Sequence, residues 1–256
     1  NVMFRANFQR TGVYQTTDVR QLRGLKWKCK PDINSSLLGK NWHVLANNEI
    51  VCFNNYGGNL YACNAQTGQQ KWIYQSERKA NLLSSAITDE IIYIRVRQMD
   101  NYTVNNPVQS DYLIALEPQS GQQKWQFQLS QQQHSPFSLS FNFLASPSAP
   151  VVAKEVVYIG SYDGHLYALD VSSGDLAWRF KITNDMALGS PAVKEEILCI
   201  GSNDGYLYGI DLKTKQERWK FEIGVTLPVI IPVPVIANER VYVVGRYHQL
   251  YVLNLD

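Results

Sequence analysis

Apolar and polar positions along this chain fall into a unit that repeats. Ser148 to Lys181 reads SAPVVAKEVVYIGSYDGHLYALDVSSGDLAWRFK. The same order of apolar runs and turn residues returns from Gly189 to Glu222 as GSPAVKEEILCIGSNDGYLYGIDLKTKQERWKFE, and from Trp42 as WHVLANNEIVCFNNYGGNLYACNAQTGQQKWIYQ. A further copy, Leu83 to Gln128, keeps SSAITDEIIYI at its start and YLIALEPQSGQQKWQFQ at its end. The last copy, PVPVIANERVYVVGRYHQLYVLNLD, stops at Asp256 without a tryptophan segment. Self-similarity of this kind is read before any other signal, because it decides the architecture.

Each copy predicts four short strands, A to D. Pro191-Ala-Val is strand A and Ile197-Leu-Cys-Ile is strand B. Asp204-Gly205 then predicts a two-residue hairpin turn, with positive φ at both positions. Strand C, Tyr206 to Ile210, leads to a turn best seen at Asp170-Val-Ser-Ser-Gly174. There the Asp carboxylate can accept from backbone amides and the glycine takes the left-handed conformation. Strand D is Leu176 to Lys181. Lys215 stands at the glycine position of the fourth unit, a strain of about 1 kcal/mol that the fold can absorb.

Strand D tryptophans fall at Trp27, Trp72, Trp125, Trp178 and Trp219, and complete A–B–C units also number five. The first tryptophan segment, Gly24 to Lys30, has no A–B–C before it, and the last A–B–C has no strand D after it. Joining the two closes a ring and removes two exposed sheet edges. The expectation is an all-β, five-bladed β-propeller of four-stranded antiparallel blades, closed by residues 25–30. It would form one domain, with an arm over 1–23, a closing strand over 24–30, and blades near 36–75, 82–128, 148–181, 189–222 and 231–256.

The tail of each copy, [LI]-Y-A-[LC]-[DN]-x-x-[ST]-G-x-x-x-W, resembles the repeat of the pyrroloquinoline-quinone (PQQ)-like propeller family, and Met3 to Gly12 resembles its opening segment. That family includes quinoprotein alcohol dehydrogenases, an outer-membrane assembly lipoprotein and sensor-like domains of bacterial kinases. The resemblance covers residues 25–256. It implies an extracytoplasmic (periplasmic or cell-surface) setting in a larger bacterial protein, against which the unpaired cysteines weigh. Function has to be argued from the site, because one fold carries many.

A quinone enzyme of this family would bring eight blades, adjacent cysteines and a calcium site. No Cys-Cys pair occurs here. The ten residues expected at the channel mouth (Trp42-His43, Leu83-Ser84, Ser148-Ala149, Gly189-Ser190, Pro232-Val233) include no carboxylate, whereas calcium takes several oxygen ligands. Nucleophile elbow, phosphate loop and dinucleotide fingerprint are all missing from the sequence. Asp170, Asp211 and Glu117 read as turn formers. The expectation is therefore a non-catalytic protein without a cofactor, with a PQQ-linked oxidoreductase as the alternative. A net charge of +2, from 24 basic and 22 acidic residues with no basic run, argues against nucleic acid. No apolar stretch is long enough to span a membrane. Cys29, Cys52, Cys63 and Cys199 have no metal-ligand spacing and read as small core residues. Counting outward from Gly57-Gly58 puts Cys52 opposite Cys63, as a reduced pair.

Departures from the repeat point to the site. Gln98 to Ser110 (QMDNYTVNNPVQS, with Tyr102) replaces a tight B–C turn in the second blade, and Leu129 to Pro147 lengthens the D–A connection after it. Strands alternate direction, so both insertions rim one mouth of the channel. Loops beyond a repeat's need have a functional reason or are disordered. The second carries His134, Phe137, Phe141 and Phe143, whose rings either plug the mouth or line a groove, and Trp42 and His43 should share that rim. The expectation is a monomeric binding, scaffold or sensor module holding a protein, peptide or small ligand at Trp42, His43, Tyr102, His134, Phe137, Phe141 and Phe143.

Overall fold

The computed structural model describes residues 25–29, 44–54, 58–76, 80–100, 108–133, 148–184, 187–224, 231–245 and 249–255. These residues form antiparallel sheets of four strands each, and a last one of three. Blade 1 is β1 (Val44–Ala46), β2 (Ile50–Asn54), β3 (Asn59–Asn64) and β4 (Gln70–Gln75). Blade 2 is β5 (Ala80–Ile87), β6 (Ile92–Asp100), β7 (Val108–Leu116) and β8 (Gln123–Gln133). Blade 3 holds β9 (Val151–Ala153), β10 (Val156–Gly160), β11 (His165–Asp170) and β12 (Leu176–Lys181). Blade 4 holds β13 (Ala192–Lys194), β14 (Ile197–Gly201), β15 (Tyr206–Asp211) and β16 (Gln216–Glu222), and blade 5 holds β17 (Val235–Ala237), β18 (Arg240–Val244) and β19 (Leu250–Asn254). The chain is a five-bladed propeller, as the repeat predicts.

Middle strands such as β14 are buried throughout, while the outer β4, β12 and β16 are mostly exposed. Successive side chains of a strand point to opposite faces, so a blade can contribute to two apolar cores, as blades 2, 3 and 4 do. One lies between blades 1 and 2 (Ile50, Cys52 and Ala62 with Ile92, Ile94 and Leu116), and another between blades 2 and 3 (Tyr93, Leu113 and Trp125 with Val157, Ile159 and Leu169). Two more join blades 3 to 4 and 4 to 5.

Tryptophans of the outer strands brace each blade to the next. Trp72 Nε1 donates to Pro118 O at 2.9 Å, and Trp125 Nε1 donates to Val171 O at 3.0 Å. Gly174 shows why the C–D turn needs glycine. Its φ is 76°, and a Cβ there would stand 2.5 Å from Cδ2 of Trp125. Asp170 Oδ1 accepts from the amides of Ser172 and Ser173 at 2.8 and 2.9 Å, as a turn former should. Lys215 takes the glycine's place in blade 4 at a φ of 59°.

The B–C turn differs from the two-residue form expected at Asp204-Gly205. Strand pairing ends at Gly201 and Leu207, Ser202 N donates to Tyr206 O at 2.9 Å, and Gly205 alone in this turn has positive φ. Asp204 is used through its carboxylate instead, accepting from Tyr206 N at 3.1 Å and from the Tyr208 hydroxyl at 2.5 Å. Asp163 does the same with His165 N and the Tyr167 hydroxyl in blade 3.

Register also corrects the cysteine pairing. Cys52 stands opposite Ala62, and Cys63 opposite Val51. The turn centre lies half a residue earlier than Gly57-Gly58, and a one-position slip moves a side chain to the other face. Cys52 and Cys63 therefore point to opposite sides of blade 1.

At the ends of the ring, residues 25–29 carry no strand, and no ladder joins them to β19 among the described residues. Gly24 and Lys30 lie outside those residues. Trp27 nevertheless occupies the brace position of a fifth outer strand: its Nε1 donates to Ala65 O at 3.0 Å, and a Cβ on Gly68 would meet its ring at 2.7 Å. β19 stands where other blades have a buried strand C, yet Leu250 is 62% and Val252 48% exposed. That exposure marks the edge where a closing strand would add.

Candidate functional site

Blade 2 is taller than its neighbours. Its two middle strands run nine residues each, and β8 runs 11, against five and six for the middle strands of blade 3. All the extra length is at one end. Past the level where β10 stops, Arg97 pairs with Asp111, Gln98 with Ser110, Met99 with Gln109 and Asp100 with Val108. Alongside, Val108 pairs with Gln133 and Gln109 with Gln132, while Ala80 pairs with Gln98. The blade therefore rises about four residues, or ~13 Å, beyond the ring. The described flanks of both insertions, which the sequence pattern suggested were loop, are ladder, and they hydrogen-bond to each other at one end of the blade.

A buried charge cluster holds the base of this projection. Arg95 Nη2 donates to Asp111 Oδ2 at 2.8 Å, and Arg97 Nε donates to Asp111 Oδ1 at 2.9 Å. Arg95 Nη1 also reaches Gly160 O in blade 3 at 3.0 Å. Both guanidiniums lie over the Tyr162 ring, 4.7 and 4.4 Å from its centroid, an arrangement that favours a cation. Arg95 is 0%, Arg97 5% and Asp111 4% exposed. Burial by itself pushes the Asp111 carboxyl up, but the Arg95 and Arg97 guanidiniums outweigh it and hold the group below the usual carboxylate range.

Two guanidiniums against one carboxylate leave the cluster with surplus positive charge beneath the mouth. Arg95 Nε and Ser161 Oγ are buried there without a hydrogen-bond partner among the described residues. Such a site attracts an anionic group and repels a metal cation, so Asp111 is no calcium ligand in this arrangement. Two serine contacts join blades, and a third, between Gly160 and Ser148, lies within blade 3. Ser84 Oγ donates to Ser148 O at 2.7 Å, Ala149 N donates to Ser190 Oγ at 2.9 Å, and Gly160 N donates to Ser148 Oγ at 3.0 Å.

All seven residues singled out from the sequence (Trp42, His43, Tyr102, His134, Phe137, Phe141 and Phe143) lie outside the described residues. The described strands do bring the flanks of both insertions together at the head of blade 2. Sequence reasoning missed Arg95, Arg97, Asp111 and Tyr162. A signal was present: where sibling strands read VVYIG and ILCIG, β6 reads IYIRVRQMD, with two arginines on one face of a core strand.

Comparison with known proteins agrees with this architecture. No curated protein matches the chain. Among solved structures, BamB from Moraxella catarrhalis aligns with a TM-score of 0.57 at 19% identity, over 81% of this chain and 55% of that one. A europium-containing methanol dehydrogenase aligns at 0.53 and 12% identity (82% and 50% of the two chains). Quinohemoprotein alcohol dehydrogenase from Comamonas testosteroni aligns at 0.52 and 11% (78% and 42%). The chain thus spans about half the length of these relatives, and at such identities the likeness is one of fold. The family pattern described as outer membrane protein assembly factor BamB matches residues 13–221. With most of its length matched, and with the repeat and blades described above, the chain belongs to this PQQ-like propeller family.

Proposed function

We infer that this chain is a non-catalytic propeller, folded as one domain, that binds a protein partner at the head of blade 2. Membership in a family described as an outer membrane protein assembly factor supports a role as a binding scaffold in an extracytoplasmic setting. The observation that carries the reading is the raised, charge-locked end of blade 2, a feature absent from blades 1, 3 and 4 among the described residues. A ladder projecting about four residues past the ring offers edges and side chains that closure of the propeller does not need. Phe137, Phe141 and Phe143 would supply apolar anchors on the same rim, beside Trp42, His43, Tyr102 and His134.

Changing Phe137, Phe141 and Phe143 together to Ser tests this reading. Each buried phenylalanine is worth roughly 1.5–3 kcal/mol, so a plug and a partner site respond differently. For a partner site, thermal unfolding stays within about 2 °C of the parent, while co-purification with outer-membrane assembly proteins from the source envelope is lost. A large drop in melting temperature with retained co-purification would instead identify a plug.

A PQQ-linked oxidoreductase is the alternative, supported by likeness of fold to the two dehydrogenases. Titration calorimetry with PQQ and calcium separates the readings. The scaffold reading expects no heat of binding and no dye-linked oxidation of alcohols or sugars, and micromolar PQQ affinity would overturn it.

A further inference from the structure

Two sulfurs meet at the seam of the ring. Residues 26–29 pass the end of β3 in antiparallel steps. Lys26 Nζ donates to Gln66 Oε1 at 2.6 Å and Trp27 Nε1 donates to Ala65 O at 3.0 Å, and the same stepping brings Cys29 beside Cys63, near enough for its thiol to push that of Cys63 up. At the next three blade boundaries this place is filled by an aromatic residue of one blade and a branched aliphatic residue of the next. Tyr74 shares a core with Leu116, Phe127 with Leu169, and Phe180 with Ile210. Aromatic and aliphatic groups fill the space well, so packing alone does not call for sulfur. A cysteine pair adds the capacity for a covalent bond at a boundary where the docked segment, residues 25–29, has no ladder of its own.

We propose that Cys29 and Cys63 form a disulfide site that clasps the N-terminal segment onto blade 1 under oxidising conditions. Both thiols are free in this structure. Closing from thiol contact to a bond of about 2.05 Å requires one partner to shift, and residues 25–29, which carry no ladder, can do so. Cys52 is no competitor, because it faces the opposite side of blade 1, within the core toward blade 2.

The chemistry is thiol–disulfide exchange with a disulfide-bonded oxidant, either a small molecule or an oxidoreductase. Cys29 is half-buried and Cys63 fully buried. Burial pushes the Cys63 thiol up to about 12, so Cys29 attacks first. Its thiolate bonds to one sulfur of the oxidant and releases the other as a thiol. Cys63, giving up its proton, then attacks Cys29 and displaces the second thiol. Two protein thiols have lost two protons and two electrons, and the oxidant's disulfide has become two thiols.

The test uses the full chain, incubated with oxidised and reduced glutathione, alkylated, and mapped as peptides without reductant. The expected product joins the Cys29 and Cys63 peptides, two hydrogens lighter than the free pair, with Cys52 and Cys199 alkylated after unfolding. Reductant should then lower the melting temperature by at least about 5 °C, and this difference should vanish in Cys29→Ser and in Cys29→Ala. Four free thiols after oxidation, a Cys52–Cys63 link, a Cys29-linked dimer, or a reductant effect that persists in either variant would each overturn the assignment.

Discussion

Replacing Asp111 by Asn should destabilise the protein by about 3–5 kcal/mol, because it leaves two buried guanidiniums facing each other without a counter-charge. Arg95 and Arg97 both direct hydrogen bonds at this one carboxylate, and neither reaches bulk water. Removing one partner of a buried ionic group costs more than the group itself contributes, since the remaining charge keeps its desolvation penalty. Urea unfolding at pH 7 measures the loss, and a loss below about 1 kcal/mol would show that water reaches the site. The same carboxylate gives a pH signature. Its folded-state pKa lies below the unfolded value of about 3.9. The stabilisation is therefore present above about pH 4 and is lost as pH falls through the lower, folded value. Parent protein should lose stability steeply on that limb, and Asp111→Asn, already without the charge, should lose much less over the same range.

Trp125→Ala is the second large effect, expected at about 3–5 kcal/mol. Trp125 is 8% exposed, makes one ring contact within blade 2 and joins that blade to blade 3 in two ways. It sits 5.8 Å from the Tyr93 ring, donates to Val171 O, and lies against Gly174, whose missing side chain makes room for it. Truncation empties a space between two blades that the remaining strands cannot close, because the ring holds each blade at a fixed angle. Removing the tryptophan also releases a turn whose glycine is already in place. Gly174→Ala in the Trp125→Ala background should consequently cost less than Gly174→Ala alone, a coupling that a double-mutant cycle reads directly.

Much of this architecture was legible because neighbouring blades write related constraints into sequence: an Asp or Asn that bonds turn amides in blades 1, 3 and 4, and in blades 1 to 3 a glycine with positive φ and a tryptophan that needs that glycine bare. What could not be read had physical reasons as well. The Asp204-Gly205 turn was misjudged because an Asp carboxylate bridging an amide and a tyrosine hydroxyl looks, in one dimension, like a turn former using its backbone. Cys52 and Cys63 were paired wrongly because register is fixed by hydrogen bonds, and half a residue decides the face. The insertions in blade 2 read as loops because QMD and SQQQ lack apolar alternation. Their described flanks, 98–100, 108–110 and 129–133, are strands because each supplies the other's ladder, a non-local gain that propensity does not contain. Arg95 and Arg97 were passed over for a similar reason: charge in a core strand becomes interpretable only with the carboxylate and ring that receive it.

Trp27 docks on Ala65 and Gly68, fewer than about fifty positions along the chain, although the strand it would complete belongs to the last blade. Ring closure in a repeat protein joins segments of large sequence separation, and such contacts form slowly because loop entropy must be overcome first. Here the difficulty is divided. Residues 25–29 can seat on blade 1 as soon as that blade exists, by a near-local search, and wait there as a pre-positioned edge. Blades 2, 3 and 4 then add in order, each templated by the core of the one before. If residues 25–29 complete the last blade, the arrival of β19 would be the remaining long-range event, and it would meet a partner already held in place. A chain that folds this way exposes its last open edge only between the assembly of blade 4 and the arrival of β19, rather than throughout folding.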